Sequence, residues 1–185
     1  FGIGEDISFD RAIADRFNCK VHCFDPTPKS IRWFRKQSPE AIKNLKFYEY
    51  GLSEKSGKTK FFLPKNKNYV SGSSILFNSL DENDYVDVNL KNITDICSDL
   101  KIKKIDVLKM DIEGAEYQVI ESLISSKIFI GQILVEFHDR FFNTKILKSC
   151  VSAKLLKENG YFISQNSKTF EESSFVHSSL LREKN

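Results

Sequence analysis

An apolar run that ends in a cluster of acids constrains the fold more than any other feature of the chain. The run over residues 105–110 is typical of a buried parallel strand, and Asp111 and Glu113 follow it directly. In open α/β sheets the ligand lies beyond the carboxyl ends of the strands. Two further apolar runs, over residues 21–25 and 133–138, also end in ionisable groups. We therefore expect three strand ends to line one binding crevice.

The size and composition predict one soluble globular domain over residues 1–185. The chain is 41% hydrophobic and 12% aromatic, and its 28 basic and 25 acidic residues leave a net charge of +3. The lysines are spread along the chain, which is weak support for a nucleic-acid surface. No apolar run approaches the roughly 20 residues that span a bilayer, and no secretory leader is visible. The sequence therefore predicts a cytoplasmic protein without nucleic-acid or membrane partners.

The four cysteines are predicted to be free, buried thiols. Cys19, Cys23, Cys97 and Cys150 lack a paired metal-binding spacing, and a chain of this length does not need disulfide bonds.

Strand and helix patterns alternate along the chain, which predicts a parallel or mixed sheet with helices on both faces. Ser8 is predicted to cap the first helix, whose buried face carries Phe9, Ile13 and Phe17. Residues 64–84 have little periodicity and are predicted to form a long loop, either a lid or an uninvolved segment. The predicted helices cover residues 8–17, 92–100, 115–125 and 144–159, with a short one from Pro28. The predicted strands cover residues 20–25, 46–50, 58–63, 105–110, 132–137, 161–165 and 174–178. The last helix is predicted to bury Ile146, Leu147, Val151, Leu155 and Leu156.

The start of the chain has the features of a nucleoside-binding turn. The opening Phe1–Gly4 segment looks like the end of a strand whose beginning is missing. Gly2 and Gly4 flank a turn that leads into a helix N-terminus, where unpaired amides face a ligand. About twenty residues later Asp25 ends the second strand, where a carboxylate commonly binds both hydroxyls of a ribose. Together these features predict an adenosine-containing cofactor.

The residues after the glycines favour S-adenosylmethionine over a dinucleotide. Dinucleotide-binding turns have a third small residue where this chain has Ile7, and a bulky side chain there is hard to reconcile with a pyrophosphate. Glu5 and Asp6 add negative charge, which repels phosphates and suits an ammonium and a sulfonium group.

Three blocks resemble the FkbM-type methyltransferases, over residues 2–10, 24–28 and 108–116. The third block is the most specific, because a lysine, an aspartate and a Glu-Gly-Ala-Glu run rarely occur in that order. Secondary matches cover residues 51–53, 71–74 and 135–138, so the resemblance spans most of the chain. It implies a Rossmann-like three-layer sandwich of the class I methyltransferase type, with a mostly parallel seven-stranded sheet. It also implies S-adenosylmethionine-dependent O-methylation of a hydroxyl on a small metabolite or glycan.

The same resemblance implies roles for individual residues. Gly2, Gly4 and Asp6 would hold the methionine part of the cofactor, Asp25 the ribose, and Leu52 or Ser53 the surroundings of the adenine. The full predicted cofactor-binding set is Gly2, Gly4, Asp6, Ser8, Asp25, Leu52, Ser53 and Asp111.

The predicted catalytic residues are His138, Asp111 and Glu113. His138 lies at the end of a strand, and the unperturbed pKa of histidine near 6.5 suits a general base that Glu136 or Asp139 would orient. Asp111 is expected to face the cofactor's amino group or the acceptor. The alternatives are a surface histidine, and a Mg²⁺ site built from His138 and the neighbouring acids. The metal site is less favoured, because no spacing in the chain is diagnostic for a metal. Glu116 is expected to cap the following helix.

Two other functions stay open on the sequence alone. A nicotinamide-dependent oxidoreductase shares the sheet and the strand-end aspartate, although Ile7 disfavours it. The second alternative is a non-catalytic nucleotide-binding module.

Overall fold

Helices and strands alternate along the chain as predicted, and the computed structural model describes them over residues 1–181. The described helices are α1 (Ser8–Phe17), α2 (Pro28–Phe34), α3 (Ile93–Leu100), α4 (Glu116–Ser126) and α5 (Lys148–Glu158). The described strands are β1 (Val21–Phe24), β2 (Leu45–Tyr48), β3 (Gly51–Leu52), β4 (Gly57–Pro64), β5 (Leu80–Lys91), β6 (Lys104–Met110), β7 (Phe129–Glu136), β8 (Tyr161–Asn166) and β9 (Glu172–His177). Short 3-10 helices cover Asp139–Phe141 and Ser178–Leu180. The predicted helices and strands are confirmed, with ends that differ by at most four residues.

The largest secondary-structure error is the missed strand β5. It is 12 residues long and pairs antiparallel with β4, so the predicted loop over residues 64–84 ends at residue 79 instead. The start of β5 is polar and mostly exposed, and only Leu80, Val88 and Leu90 are buried in it. The apolar alternation that identifies a half-buried strand is therefore weak in its first half.

The described chain divides into two compact units. Unit 1 comprises Phe1–Leu52 with Gly57–Leu90, and unit 2 comprises Ser53–Ser56 with the chain from Lys91 onward.

Unit 1 contains two small sheets. Strands β1 and β2 pair in parallel, and β3, β5 and β4 form a second sheet in that order. One face of the parallel pair packs against the helices of this unit, because Cys23 is buried together with Ile3, Ile7 and Phe34. This core holds the glycine turn against the carboxyl end of β1.

Unit 2 contains a four-stranded sheet in the order β6-β7-β9-β8. Strands β6 and β7 pair in parallel, whereas β9 pairs antiparallel with both β7 and β8. Helix α5 packs against α4 and β8. One face of the three neighbouring strands carries the buried side chains of Leu108, Met110, Ile133, Val135 and Phe175.

The prediction of a single, mostly parallel, seven-stranded sheet in a three-layer sandwich is wrong. The described strands form separate sheets of two, three and four strands, and three of the strand pairs are antiparallel. The prediction that the run over residues 105–110 is a buried strand holds only for its end, because Leu108 and Met110 are buried in β6 whereas Val107 is 40% exposed. The fold is α/β with several small sheets, which agrees with a class I methyltransferase only at a coarse level.

Two predicted apolar helix faces are wrong in part. In α1 only Ala14 is buried, while Phe9 and Phe17 are exposed. Helix α5 begins at Lys148, so Ile146 and Leu147 precede it and are exposed. In the predicted stripe of α5, Val151 is exposed, Leu155 is half-buried and Leu156 is buried.

The four cysteines are free, as predicted, but their burial differs. Cys23 and Cys97 are buried, Cys19 is half-buried and Cys150 is exposed on α5.

Within residues 1–181, no helix combines the length and the apolar character that a membrane crossing requires.

Candidate active site

The glycine turn of unit 1 is closed by the aspartate at the end of β1. The Gly4 amide donates to Asp25 Oδ2 at 2.9 Å, and the Thr27 amide donates to Asp25 Oδ1 at 2.8 Å. The Gly2 amide donates to the Phe24 carbonyl at 3.0 Å. Asp25 is only 4% exposed, so its carboxylate is a structural clamp for the turn. Its binding of a ribose stays a prediction.

Both predicted glycines have backbone conformations that favour glycine. The φ angles of Gly2 and Gly4 are 75° and 58°, in the left-handed region. A Cβ atom added to Gly4 would have no neighbouring atom within 4 Å, so the turn borders open space. That space is where a bound molecule can approach the backbone.

Asp6 and Ser8 form a local turn at the start of α1. Asp6 accepts hydrogen bonds from the Ser8 amide at 2.7 Å and from the Ser8 hydroxyl at 3.0 Å. The predicted capping role of Ser8 is wrong, because the N-cap position is Ile7 and its side chain makes no capping bond. The Asp6 carboxylate instead satisfies the first amide of the helix.

Ile7 fills the position between helix and strand. It is 5% exposed and packs in the core of unit 1 with Ile3, Cys23 and Phe34. A dinucleotide-binding turn keeps this position small so that helix and strand approach around a pyrophosphate. The described packing therefore fits a cofactor without one.

The two residues predicted near the adenine lie in different units. Leu52 is buried in unit 1. The preceding residue, Gly51, is closely packed, because a Cβ atom added to it would lie 2.7 Å from the Leu90 side chain. Ser53 belongs to unit 2, and its amide donates to the Lys91 carbonyl at 3.0 Å.

His138 of unit 2 is fully buried beyond the carboxyl end of β7. Its Nδ1 lies 2.6 Å from Glu116 Oε1, and both side chains are at most 1% exposed. Glu116 is the first residue of α4, and it also accepts a hydrogen bond from the Gly114 amide at 3.1 Å. The predicted capping role of Glu116 is not supported, because the N-cap of α4 is Ala115 and the described hydrogen bonds of Glu116 go to the Gly114 amide, which precedes the helix, and to His138.

The other ring nitrogen of His138 lies near three further carboxylates. Nε2 is 3.4 Å from Glu113, 3.6 Å from Asp111 and 3.7 Å from Glu136. None of these distances is a good hydrogen bond, and Nε2 has no hydrogen-bond partner within residues 1–181. One imidazole is thus surrounded by four acids.

The turn between β6 and α4 brings these acids together. Glu113 and Gly114 have φ angles of 53° and 99°, so the backbone is left-handed at two successive residues. This conformation reverses the chain directly after Asp111. For Glu113 it costs roughly 1 kcal/mol or more, which the surrounding structure must offset.

Burial and mutual repulsion shift the pKa values in this cluster. Burial raises the pKa of Asp111, and the nearby Glu113 raises it further, while His138 and Lys109 oppose the shift. The pKa of Glu136 is raised mainly by burial and by Asp111. Burial lowers the pKa of His138, but the hydrogen bond to Glu116 and the charges of three acids outweigh it, so the net shift is upward.

A cavity of about 360 Å³ adjoins the acids at the carboxyl ends of β6 and β7. Asp111 and Glu136 line it together with polar residues of the β8–β9 hairpin. Asn166 Oδ1 in this wall is buried without a hydrogen-bond partner in the described chain. The cavity therefore presents acids and unsatisfied polar groups to a ligand.

The structure brings the three predicted catalytic residues together, and it adds Glu116. Asp139 does not orient the histidine, because it accepts hydrogen bonds from the Tyr117 hydroxyl and the Ser149 amide, each at 3.1 Å. Sequence reasoning assigned Glu116 to the helix terminus alone. No local pattern signals the second role of Glu116, because its contact with His138 depends on the left-handed turn at Glu113 and Gly114.

Alternating strands and helices, with acids at the strand ends, define this chain as an α/β protein that is consistent with a methyltransferase fold at a coarse level. The sequence profile of the methyltransferase FkbM domain matches residues 4–163, and the chain belongs to that family.

The chain is 26% identical over 140 residues to a human protein named "Probable methyltransferase-like protein 24". This alignment covers 74% of the chain and 31% of the human protein, so the chain spans about a third of that relative's length. No solved structure matches the chain.

Proposed function

We propose that this chain transfers a methyl group from S-adenosylmethionine to a hydroxyl oxygen of a small metabolite or glycan. The main support is membership of the FkbM methyltransferase family, whose profile covers residues 4–163. The same proposal includes a single methyltransferase domain over residues 1–185 and a cytoplasmic location.

The turn in unit 1 fits the proposed methyl donor. Gly4 borders open space, and Glu5 and Asp6 are exposed beside it, which suits a cationic ligand. In this proposal the turn contacts the methionine part of the donor, and Asp25 accepts hydrogen bonds from its ribose. By the family resemblance, Leu52 or Ser53 would contribute to the surroundings of the adenine.

The packing of Ile7 favours this donor over a nicotinamide dinucleotide. Its side chain is 5% exposed and occupies the volume that a dinucleotide-binding turn leaves free. A nicotinamide-dependent oxidoreductase is therefore the weaker candidate.

The cavity in unit 2 fits a polar, hydroxyl-bearing acceptor. Its walls carry acids and amides, and a volume of about 360 Å³ suits a small metabolite or a single sugar unit. We assign the acceptor to this cavity.

Bound S-adenosylmethionine supplies an electrophilic methyl carbon on a positively charged sulfur, so transfer requires in-line alignment with the acceptor oxygen. Glu136 lines the cavity and burial raises its pKa, so its carboxylate would take the proton of an acceptor hydroxyl held in this cavity. Asp111 orients the same hydroxyl from the neighbouring strand end. His138 is fully buried and does not line the cavity, and in this proposal it has a structural role through its contact with Glu116.

Cofactor binding tests the donor assignment. We expect S-adenosylmethionine to raise the melting temperature of the wild-type chain, and the Gly4→Asn variant to lose most of this shift. Asparagine tolerates the left-handed backbone at this position, so the added side chain mainly fills the space beside the turn. The matched control is Gly57→Asn, which also points into open space, at the start of β4.

Three outcomes separate the candidate functions. Stabilisation by S-adenosylmethionine with methylation of a hydroxylated acceptor supports the proposal. Stabilisation by NAD and none by S-adenosylmethionine would identify an oxidoreductase and overturn it. A chain that binds S-adenosylmethionine but methylates no member of a broad acceptor panel would be a non-catalytic binding module. In that case Glu136→Gln would bind the donor as tightly as the wild type.

A further inference from the structure

We propose that Asp111, Glu113 and His138 bind a divalent metal ion. Each residue offers one ligand atom, and the three atoms lie within 4.8 Å of one another. All three belong to unit 2, and the inference does not depend on the proposed methyl transfer.

Two of the ligand atoms are buried and unsatisfied. His138 Nε2 and Asp111 Oδ1 have no hydrogen-bond partner within residues 1–181, although both are shielded from solvent. The His138 side chain is 1% exposed, and its Nε2 points toward the two acids. Buried polar atoms almost always have a bonding partner, and a metal ion bound between these two atoms would supply it.

The separations between ligand atoms fit coordination better than hydrogen bonding. Nε2 lies 3.4 Å from Glu113 Oε2 and 3.6 Å from Asp111 Oδ1. Two donor atoms that each lie about 2.1 Å from one ion are roughly 3.0 to 3.4 Å apart at octahedral and tetrahedral angles. An ion placed among the three atoms therefore requires only small side-chain movements.

Glu116 fixes the imidazole in the form that a metal needs. Its Oε1 lies 2.6 Å from Nδ1, so Nδ1 donates a proton to the carboxylate, and in the neutral ring that binds a metal the lone pair is on Nε2. Histidine ligands of metals commonly donate their second nitrogen to a carboxylate in this way, which fixes the ring orientation.

The charge of the cluster also favours a cation. Asp111, Glu113, Glu116 and Glu136 all lie within 3.7 Å of one imidazole, and Arg140 lies 3.7 Å from Glu136. A protonated imidazole supplies a single positive charge to four partly or fully buried carboxylates. A divalent ion offsets more of this charge and satisfies Nε2 and Asp111 Oδ1 at once.

The ligand set favours a transition-metal ion. Carboxylate oxygens suit Mn²⁺, an imidazole nitrogen suits Zn²⁺, and Mg²⁺ prefers oxygen ligands alone. We therefore expect Mn²⁺ and Zn²⁺ to bind more tightly than Mg²⁺.

The test is metal binding to the full chain after treatment with EDTA and gel filtration. Titration with Mn²⁺, followed by electron paramagnetic resonance, is expected to show one bound equivalent. Glu113→Gln keeps the shape of the side chain but removes an anionic ligand, and it should weaken binding at least tenfold. Glu116→Gln should weaken it by roughly tenfold to a hundredfold, because the imidazole loses its anionic partner. The control Glu171→Gln removes an exposed acid that pairs with Arg140 and should leave binding unchanged.

A second measurement uses the wild-type chain alone. Zn²⁺ should shift the Nε2 nitrogen resonance of His138 at one equivalent. A folded wild-type chain that binds neither ion would overturn the inference and leave a charged imidazole among the acids. Binding that is equally tight in Glu113→Gln and Asp111→Asn would also overturn it, because the ion would lie elsewhere.

These titrations contain neither methyl donor nor acceptor. A chain that binds the ion and transfers no methyl group would retain this inference while the proposed function fails. Methyl transfer without any metal binding would give the reverse result.

Discussion

The carboxylate of Glu116 and the imidazole of His138 form a 2.6 Å contact between two fully buried side chains. It joins the first turn of α4 to the end of β7, across 22 residues of sequence. The end of β7 and the start of α4 are therefore held together by one polar pair inside the core of unit 2.

Removing the carboxylate from this pair should destabilise the fold. We expect Glu116→Ala to lower the free energy of unfolding by about 3 to 5 kcal/mol, because a buried histidine loses its charged partner. Glu116→Gln should cost less, because the amide oxygen still accepts a hydrogen bond. Urea denaturation measures both, and Glu121→Gln on the exposed face of α4 is the matched control. Equal midpoints for Glu116→Ala and the control would contradict the described pairing.

The stability of the chain should include a pH-dependent contribution from His22. Burial lowers the pKa of this histidine, and Lys46 and Lys20 lower it further, while Nδ1 lies 3.0 Å from the Tyr48 hydroxyl. A folded-state pKa below the unfolded value means that folding favours the neutral ring. The contribution is therefore present above about pH 6.5 and is lost as the pH falls through the folded-state pKa.

Comparison of wild type with His22→Gln isolates this effect. Between pH 7 and pH 5 the wild type should lose more unfolding free energy than the variant, by less than about 1 kcal/mol because the ring is only half-buried. Chemical denaturation at several pH values measures the difference. A variant that loses as much stability on acidification as the wild type would rule the effect out.

Cys23 and Cys150 should differ strongly in reactivity. Burial and the neighbouring Asp10 raise the pKa of the Cys23 thiol to about 12, and the residue is 0% exposed. Cys150 is exposed on α5. Because the thiolate is the reactive form, iodoacetamide at pH 8 should modify Cys150 quickly and leave Cys23 protected. Mass spectrometry of native and urea-unfolded protein tests this, and rapid native modification of Cys23 would show that the core of unit 1 is open.

Gly72 should be intolerant of a side chain. An added Cβ would lie 2.6 Å from the Phe61 ring and 2.8 Å from the Phe62 carbonyl oxygen. We expect Gly72→Ala to destabilise the chain by about 1 to 3 kcal/mol, because the backbone must shift to relieve the clash. Gly57→Ala is the control, because a Cβ there meets no atom within 4 Å. A thermal melt of each variant is sufficient, and equal melting temperatures would refute the close approach.

The parts of the fold that the sequence predicted are those with a strong local signal. The apolar run of β6 followed by Asp111 identified both a strand and a strand end with acids. The sheet arrangement was mispredicted because strand pairing is a long-range property. β9 pairs with β7 and with β8, and no local pattern states which neighbours a strand selects. Strand β5 was missed for a related reason. Its first half is polar and is stabilised by pairing with β4, so it lacks the apolar alternation that predicts a strand.

In the candidate site, too, local signals were predicted from the sequence and long-range contacts were not. Asp111, Glu113 and His138 were identified from strand ends, and the structure brings them together. The sequence predicts only a capping role for Glu116 at the start of α4, because its contact with His138 depends on the left-handed turn at Glu113 and Gly114. An aspartate next to the histidine was a reasonable candidate for orienting it, yet Asp139 points to Tyr117 and to the start of α5.

The segment between β4 and β5 is anchored in its middle. Phe62 and Ser73 exchange two backbone hydrogen bonds, at 2.8 Å and 3.1 Å, and Ser73 is 1% exposed. This anchor divides the predicted long loop into two shorter loops, over residues 65–72 and 74–79. A shorter loop loses less conformational entropy when it is ordered, so ordering each of these loops costs less free energy. Movement in this region is thereby confined to the loop tips, and a swing of the whole segment would first have to break the anchor.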